Sequence, residues 1–141
     1  MGGADLINGI LMKVVYIAGP YRASSEYQVL QNIRKAEEMA IRVWRSGAAC
    51  ICPHKNTAFF GGVADDSVWL EGDLEILFRC DAVVCVENWR NSKGAVGEVE
   101  LAKKHRIPVF ETFEEFQKWL EESRALGDGP GDSSPRLRLT M

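Results

Sequence analysis

Two carboxylates in this sequence could do chemistry together. Glu98 closes the run Asn91-Ser92-Lys93-Gly94-Ala95-Val96-Gly97-Glu98, which reads from a polar loop into a helix. Free backbone N–H groups at a helix start attract anions, and Ser92 adds a hydroxyl donor. Gly94 and Gly97 keep the nearby surface free of side chains. A position in about the first helical turn would let the helix dipole favour an ionised Glu98, as a carboxylate nucleophile requires. A charge that merely suits a helix start explains the same residue. Asp73, within Trp69-Leu70-Glu71-Gly72-Asp73-Leu74, is the second carboxylate. Glycosidic cleavage calls for such a pair, because one group attacks the sugar while another handles the leaving-group proton. Close placement also drives the two pKa values apart, giving one acid and one base. Asp81 is a rival, but it begins a strand and should lie at the far end of the sheet as a turn residue.

Other residues could shape a pocket around that pair. In Gly19-Pro20-Tyr21-Arg22, a glycine permits close backbone approach to a ligand, and Arg22 can hold a phosphate with two parallel hydrogen bonds. Taken alone, the segment also reads as a turn with a solvated arginine. His54, just after Pro53, could line the rim or serve as a loop hydrogen-bonder. Tyr16 sits inside an apolar strand, so its hydroxyl needs a partner, and a nearby carboxylate would serve. Trp89 could stack on a base or cover the core. Cys50, Cys52, Cys80 and Cys85 form no C-x-x-C pair and stand at no metal-ligand spacing with the two histidines. They read as buried free thiols, with no metal or cofactor expected.

These residues need elements to position them. Lys13–Ala18 is a β-branched apolar run ended by Gly19-Pro20, hence a buried strand and a turn. Apolar residues at helical spacing over Glu26–Arg45, stopped by Gly47, predict a helix. Ala48–Cys52 reads as a second strand, and 53–65 as a loop whose Phe59 and Phe60 fold over something and exclude solvent. A helix over Asp66–Arg79, with Trp69, Leu70, Leu74, Leu77 and Phe78 inward, leads to a third strand, Ala82–Val86. A helix over Ala95–His105, a strand over Ile107–Phe110 and a helix capped by Thr112 and ending near Ser123 complete the pattern. The alternation predicts an α/β fold: a flavodoxin- or Rossmann-like, doubly wound parallel sheet of four to five strands. If the first strand lies beside the third, Gly19–Ser25 and Glu87–Glu98 meet at the switch point where such sheets bind ligands.

The length of 141 residues fits one domain, taken as 13–123 between an extension at 1–12 and a tail at 124–141. The tail's Gly, Pro, Ser and Arg content reads as disorder. A formal net charge of −3 argues against a general nucleic-acid binder. The absence of a long apolar run argues against a membrane span, and of a convincing signal peptide for a cytoplasmic protein.

Together, Tyr16-Ile17-Ala18-Gly19-Pro20, Asp73-Leu74, Cys80-Asp81-Ala82-Val83-Val84 and Ser92-Lys93-Gly94-Ala95-Val96-Gly97-Glu98 resemble the nucleoside 2-deoxyribosyltransferase-like superfamily. The resemblance implies that Glu98 attacks the anomeric carbon, that Asp73 assists at the base and that Tyr16 positions the glutamate. It implies a small-molecule nucleotide or nucleoside as partner, contacted by Gly19, Tyr21, Arg22, His54, Trp89, Ser92 and Gly94, and a homodimer or higher homo-oligomer. Of its branches, the sequence looks more like the 2′-deoxynucleoside 5′-monophosphate N-hydrolases than the base-exchanging transferases, because Arg22 and Ser92 stand where the former bind phosphate. It departs from them at Glu111-Thr112-Phe113, which lacks their serine-bearing segment. The same pocket could also serve a nucleotide sensor without turnover.

Overall fold

A computed structural model describes residues 12–126 and the backbone of two short strands, Ala4–Asp5 and Arg138–Leu139, which pair antiparallel. The expectations of a loose extension and a disordered tail otherwise lie outside the described residues. Four parallel strands form the sheet: β1 (Val14–Ala18), β2 (Ala49–Ile51), β3 (Ala82–Cys85) and β4 (Val109–Phe110), in the order β2-β1-β3-β4. The chain thus leaves β1 to one side and returns on the other. The switch point lies between β1 and β3, where the register runs from Val15 opposite Ala82 to Ala18 opposite Cys85.

The period of two along β1 separates its side chains between two cores. Val15 and Ile17 pack with Ala36, Ala40 and Val43 of α1 (Glu26–Arg45) and with Phe113, Phe116 and Leu120 of α5 (Phe113–Ala125). Tyr16 and Ala18 face the other way, onto Leu77 of α3 (Asp66–Leu77) and Ala95, Val99 and Ala102 of α4 (Lys93–Lys104). This alternation points the Tyr16 ring at the helix that carries Glu98. Asp81 ties the opposite end of the sheet together: its Oδ2 accepts from the Val14 N–H at 2.8 Å, and its own N–H donates to Val14 O at 2.7 Å.

Side-chain caps define the helix starts. Ser25 accepts from the Gln28 N–H, Ser92 from Ala95 N–H and Thr112 from Glu115 N–H, each at 3.1 Å. α1 ends at Gly47, whose φ of +94° suits glycine. The Arg124 guanidinium closes that end by donating to Ser46 O and Gly47 O at 3.0 and 2.8 Å. Arg124 therefore belongs to the folded unit, and α5 runs two residues past the expected end at Ser123.

Other differences have local causes. Pro53 starts a one-turn helix, α2 (Pro53–Asn56), inside the expected loop, since its fixed φ suits a first helical position. Phe59 is 90% exposed at φ +67° and covers nothing among the described residues, whereas Phe60 packs edge-on to Trp69. On α3, Leu77 is buried, but Leu70 and Phe78 are exposed rather than inward. No helix among the described residues is long and apolar enough to cross a membrane.

Candidate active site

At the carboxyl end of β1 the Tyr16 hydroxyl donates to Glu98 Oε2. Tyr16 is wholly buried and Glu98 is half-buried. A buried phenol must find an acceptor, and the carboxylate supplies it. Asp73, half-buried on α3, is close enough for its charge to raise the pKa of both Tyr16 and Glu98. The structure thus brings together the three residues expected to act at the reacting bond.

The electrostatics differ from the expectation of a dipole-stabilised carboxylate. Ser92 caps α4, so the helix begins at Lys93 and Glu98 lies in its second turn, where the dipole has faded. Burial dominates instead and pushes Glu98 up to about 7, with Asp73 raising it further and the Tyr16 hydrogen bond pulling it down. Burial also pushes Asp73 up to about 6. Tyr16 is shifted well upward by burial and by the adjoining Glu98 carboxylate, so it remains a neutral donor. Near neutrality the two carboxyl groups therefore share roughly one proton.

The surface beside Glu98 is open. A methyl group built on Gly97 meets nothing within 4 Å, and one on Gly94 meets only Ser92 Oγ, at 3.8 Å. These two glycines leave space that the protein does not fill. Ser92, half-buried, spends its oxygen on the helix cap, and its O–H can still donate to a ligand.

Four expected contact residues are placed differently. Trp89 is buried in the α3–α4 core, with the Arg90 guanidinium 4.6 Å from its ring centre and Arg90 paired to Glu111 at 2.7 Å, so it covers the core rather than offering a stacking face. A Cβ on Gly19 would stand 2.6 Å from Val86 Cγ2, so this glycine permits close approach of protein to protein. Arg22 is exposed and bonded at 2.6 Å to Asp66 at the start of α3. His54 is buried rather than on the rim, with Nε2 against Gly19 O and Pro20 O. Tyr21 is partly exposed and packs edge-on to His54, with the ring centres 5.9 Å apart. Asn32 was not expected. It is buried on α1 and donates to Tyr21 O at 3.1 Å. Its sequence signal is a polar residue inside the buried helical stripe.

Residues 13–111, from the strand carrying Tyr16 past the helix carrying Glu98, match a family described as Domain of unknown function (DUF4406). The chain belongs to the DUF4406 family. No curated protein matches it in sequence. Among solved structures, this DUF4406 chain is similar to a 2-deoxyribosyltransferase from the psychrotolerant bacterium Bacillus psychrosaccharolyticus, at 20% identity and a TM-score of 0.51, over 68% of this chain and 69% of that one. It is also similar to a conserved protein from Enterococcus faecalis V583, at 21% identity and a TM-score of 0.50, over 70% of this chain and 62% of that one. The likeness is one of fold. It is the α/β fold that the resemblance in sequence implied.

Proposed function

We propose that this protein cleaves the N-glycosidic bond of a nucleoside or nucleoside 5′-monophosphate. The observation that carries the reading is the Tyr16–Glu98 hydrogen bond beside Asp73 at the switch point of the sheet. A tyrosine that donates to a buried carboxylate holds one oxygen still and leaves the other for attack. Glu98 attacks C1′, the glycosidic bond breaks, and its electron pair leaves with the base. Asp73 supplies or steers the proton that the departing base takes up. Water then attacks C1′ as ionised Asp73 takes its proton, and Glu98 leaves as the carboxylate, giving a sugar or sugar phosphate. A second base in place of water would give transfer, a reading favoured by the solved neighbour described as a 2-deoxyribosyltransferase.

Ser92 at the start of α4 supports a 5′-monophosphate, because its hydroxyl and the adjacent backbone N–H groups suit an anion. Arg22 would join them only by leaving Asp66. The exposed side chains of Phe59, Val63, Val68 and Leu70 support the homodimer that accompanies this reading, which sedimentation equilibrium checks.

Released base, followed over a panel of nucleosides and 5′-monophosphates with and without free acceptor base, tests the proposal. Release from monophosphates without acceptor supports hydrolysis, and base exchange that needs an acceptor supports transfer. Binding without turnover on every member contradicts the enzyme.

A further inference from the structure

Only two polar or charged side chains are buried among the described residues, Asn32 and His54, each 5% exposed. Both are spent on the same three residues. His54 Nε2 lies 3.1 Å from Gly19 O and 2.8 Å from Pro20 O, and Asn32 Nδ2 donates to Tyr21 O at 3.1 Å. Gln28 Nε2 holds Asn32 in turn, donating to its Oδ1 at 3.1 Å. Three consecutive carbonyl oxygens after β1 are thus bound by side chains that reach in from two elements, α1 and α2.

The chemistry of the donors fixes their states. Two carbonyl oxygens can only accept, so Nε2 carries the proton. Nδ1 is buried without a partner, so the neutral imidazole fits this place and a charged one does not. Burying such a ring costs free energy, which a simple turn would avoid by facing its carbonyls to water. In a trans peptide the N–H points opposite to the C=O. Drawing Pro20 O towards His54 therefore turns the Tyr21 N–H away from it, and drawing Tyr21 O towards Asn32 does the same for the Arg22 N–H. Among the described residues neither amide has a backbone or side-chain acceptor. Both donors belong to exposed residues just beyond the carboxyl end of the strand that carries Tyr16.

We infer that His54 and Asn32 are positioning residues that hold the Gly19–Arg22 segment with its Tyr21 and Arg22 amides presented to the sugar or phosphate oxygens of the substrate. The inference rests on the glycosidic-cleavage reading for its ligand, but not for its geometry. His54 acts from behind the segment and touches no reacting atom.

The test pairs kinetics with a readout that needs no substrate. His54→Ala and Asn32→Leu are expected to raise KM about tenfold, the worth of one or two hydrogen bonds, while kcat changes much less. His54→Gln, whose amide can reach the same carbonyls, recovers most of that loss. NMR order parameters of the Tyr21 and Arg22 amides fall in His54→Ala with those of the β1 and β3 amides unchanged. In the wild-type protein, imidazole nitrogen shifts report a proton on Nε2 of His54 and a bare Nδ1, a measurement that stands even if a variant does not fold. A wild-type protein that releases no base defeats the functional reading alone, leaving order parameters and nitrogen shifts to judge the positioning. A proton on Nδ1, unchanged order parameters across 19–25, or wild-type KM in both variants overturns the inference.

Discussion

Glu98 is placed where its charge is expensive and useful. Burial pushes its carboxyl up to about 7 and that of Asp73 to about 6, so the singly protonated pair is most populated between those values. The active form, with Glu98 ionised and Asp73 protonated, is the minor arrangement of that pair, and kcat/KM should still follow a bell with its top between pH 6 and 7. It falls on the acid side when both groups hold protons and on the alkaline side when neither does. Tyr16→Phe removes the hydrogen bond that lowers Glu98, the higher of the two values, so the alkaline side of the bell moves to higher pH and ionised Glu98 becomes scarcer below it. At pH 6.5 the rate drops by about tenfold for each unit of that movement. An unmoved profile in this variant would mean that Tyr16 serves packing only. That Tyr16, Glu98 and Asp73 would come together was expected from the resemblance in sequence, since position and spacing alone left Glu98 equally a helix-start charge. The sign of the Glu98 shift was not, since burial and the true start of α4 depend on packing and on the Ser92 cap. The misplaced residues share that cause: whether Trp89 stacks or fills, and whether Arg22 is free or paired, is decided by neighbours distant in sequence.

The elements explain why the site can form at all. β1 and β3 lie so close at their carboxyl ends that the Gly19 position has no room for a side chain beside Val86. Gly19→Ala should therefore cost about 1–3 kcal/mol through displacement of the β1 end, measured by denaturant unfolding. Gly19→Ala should cost less in a Val86→Gly background, because Val86 Cβ itself stands 2.7 Å from the added methyl, and an unaltered single variant would show the close approach to be absent. α1 was legible to the residue, Glu26–Arg45, because Ser25, a regular apolar stripe and Gly47 mark both ends. α2 was not, since four residues carry too little periodicity. α3 was legible in extent but not in facing: its apolar residues surround the helix, and period alone cannot choose the inner side.

At the scale of the molecule, site and stability oppose each other. In the unfolded chain Glu98 titrates near 4.5, against about 7 when folded. Below the lower value the carboxyl is neutral in both states and costs nothing. As pH rises through the folded value, the native protein must carry a half-buried charge that the unfolded chain carries in water, and stability falls. Glu98→Gln should therefore be more stable than wild type at pH 8, by about 1–3 kcal/mol, with the difference closing towards pH 5. Equal stability at both pH values would show that Glu98 is better solvated than its setting indicates. The parallel sheet was legible from alternation of strand and helix, whereas the strand order and its switch point followed only on taking a flavodoxin-like order. That order sets the stage for chemistry without choosing the substrate.

The most direct measurement is release of free base by wild-type protein and by Glu98→Ala on whichever nucleoside or 5′-monophosphate the wild type turns over, with binding of the same compound measured for both. The account predicts that Glu98→Ala binds it at near wild-type affinity while base release falls by at least about 10³-fold. Base release at near wild-type rate from Glu98→Ala would contradict it.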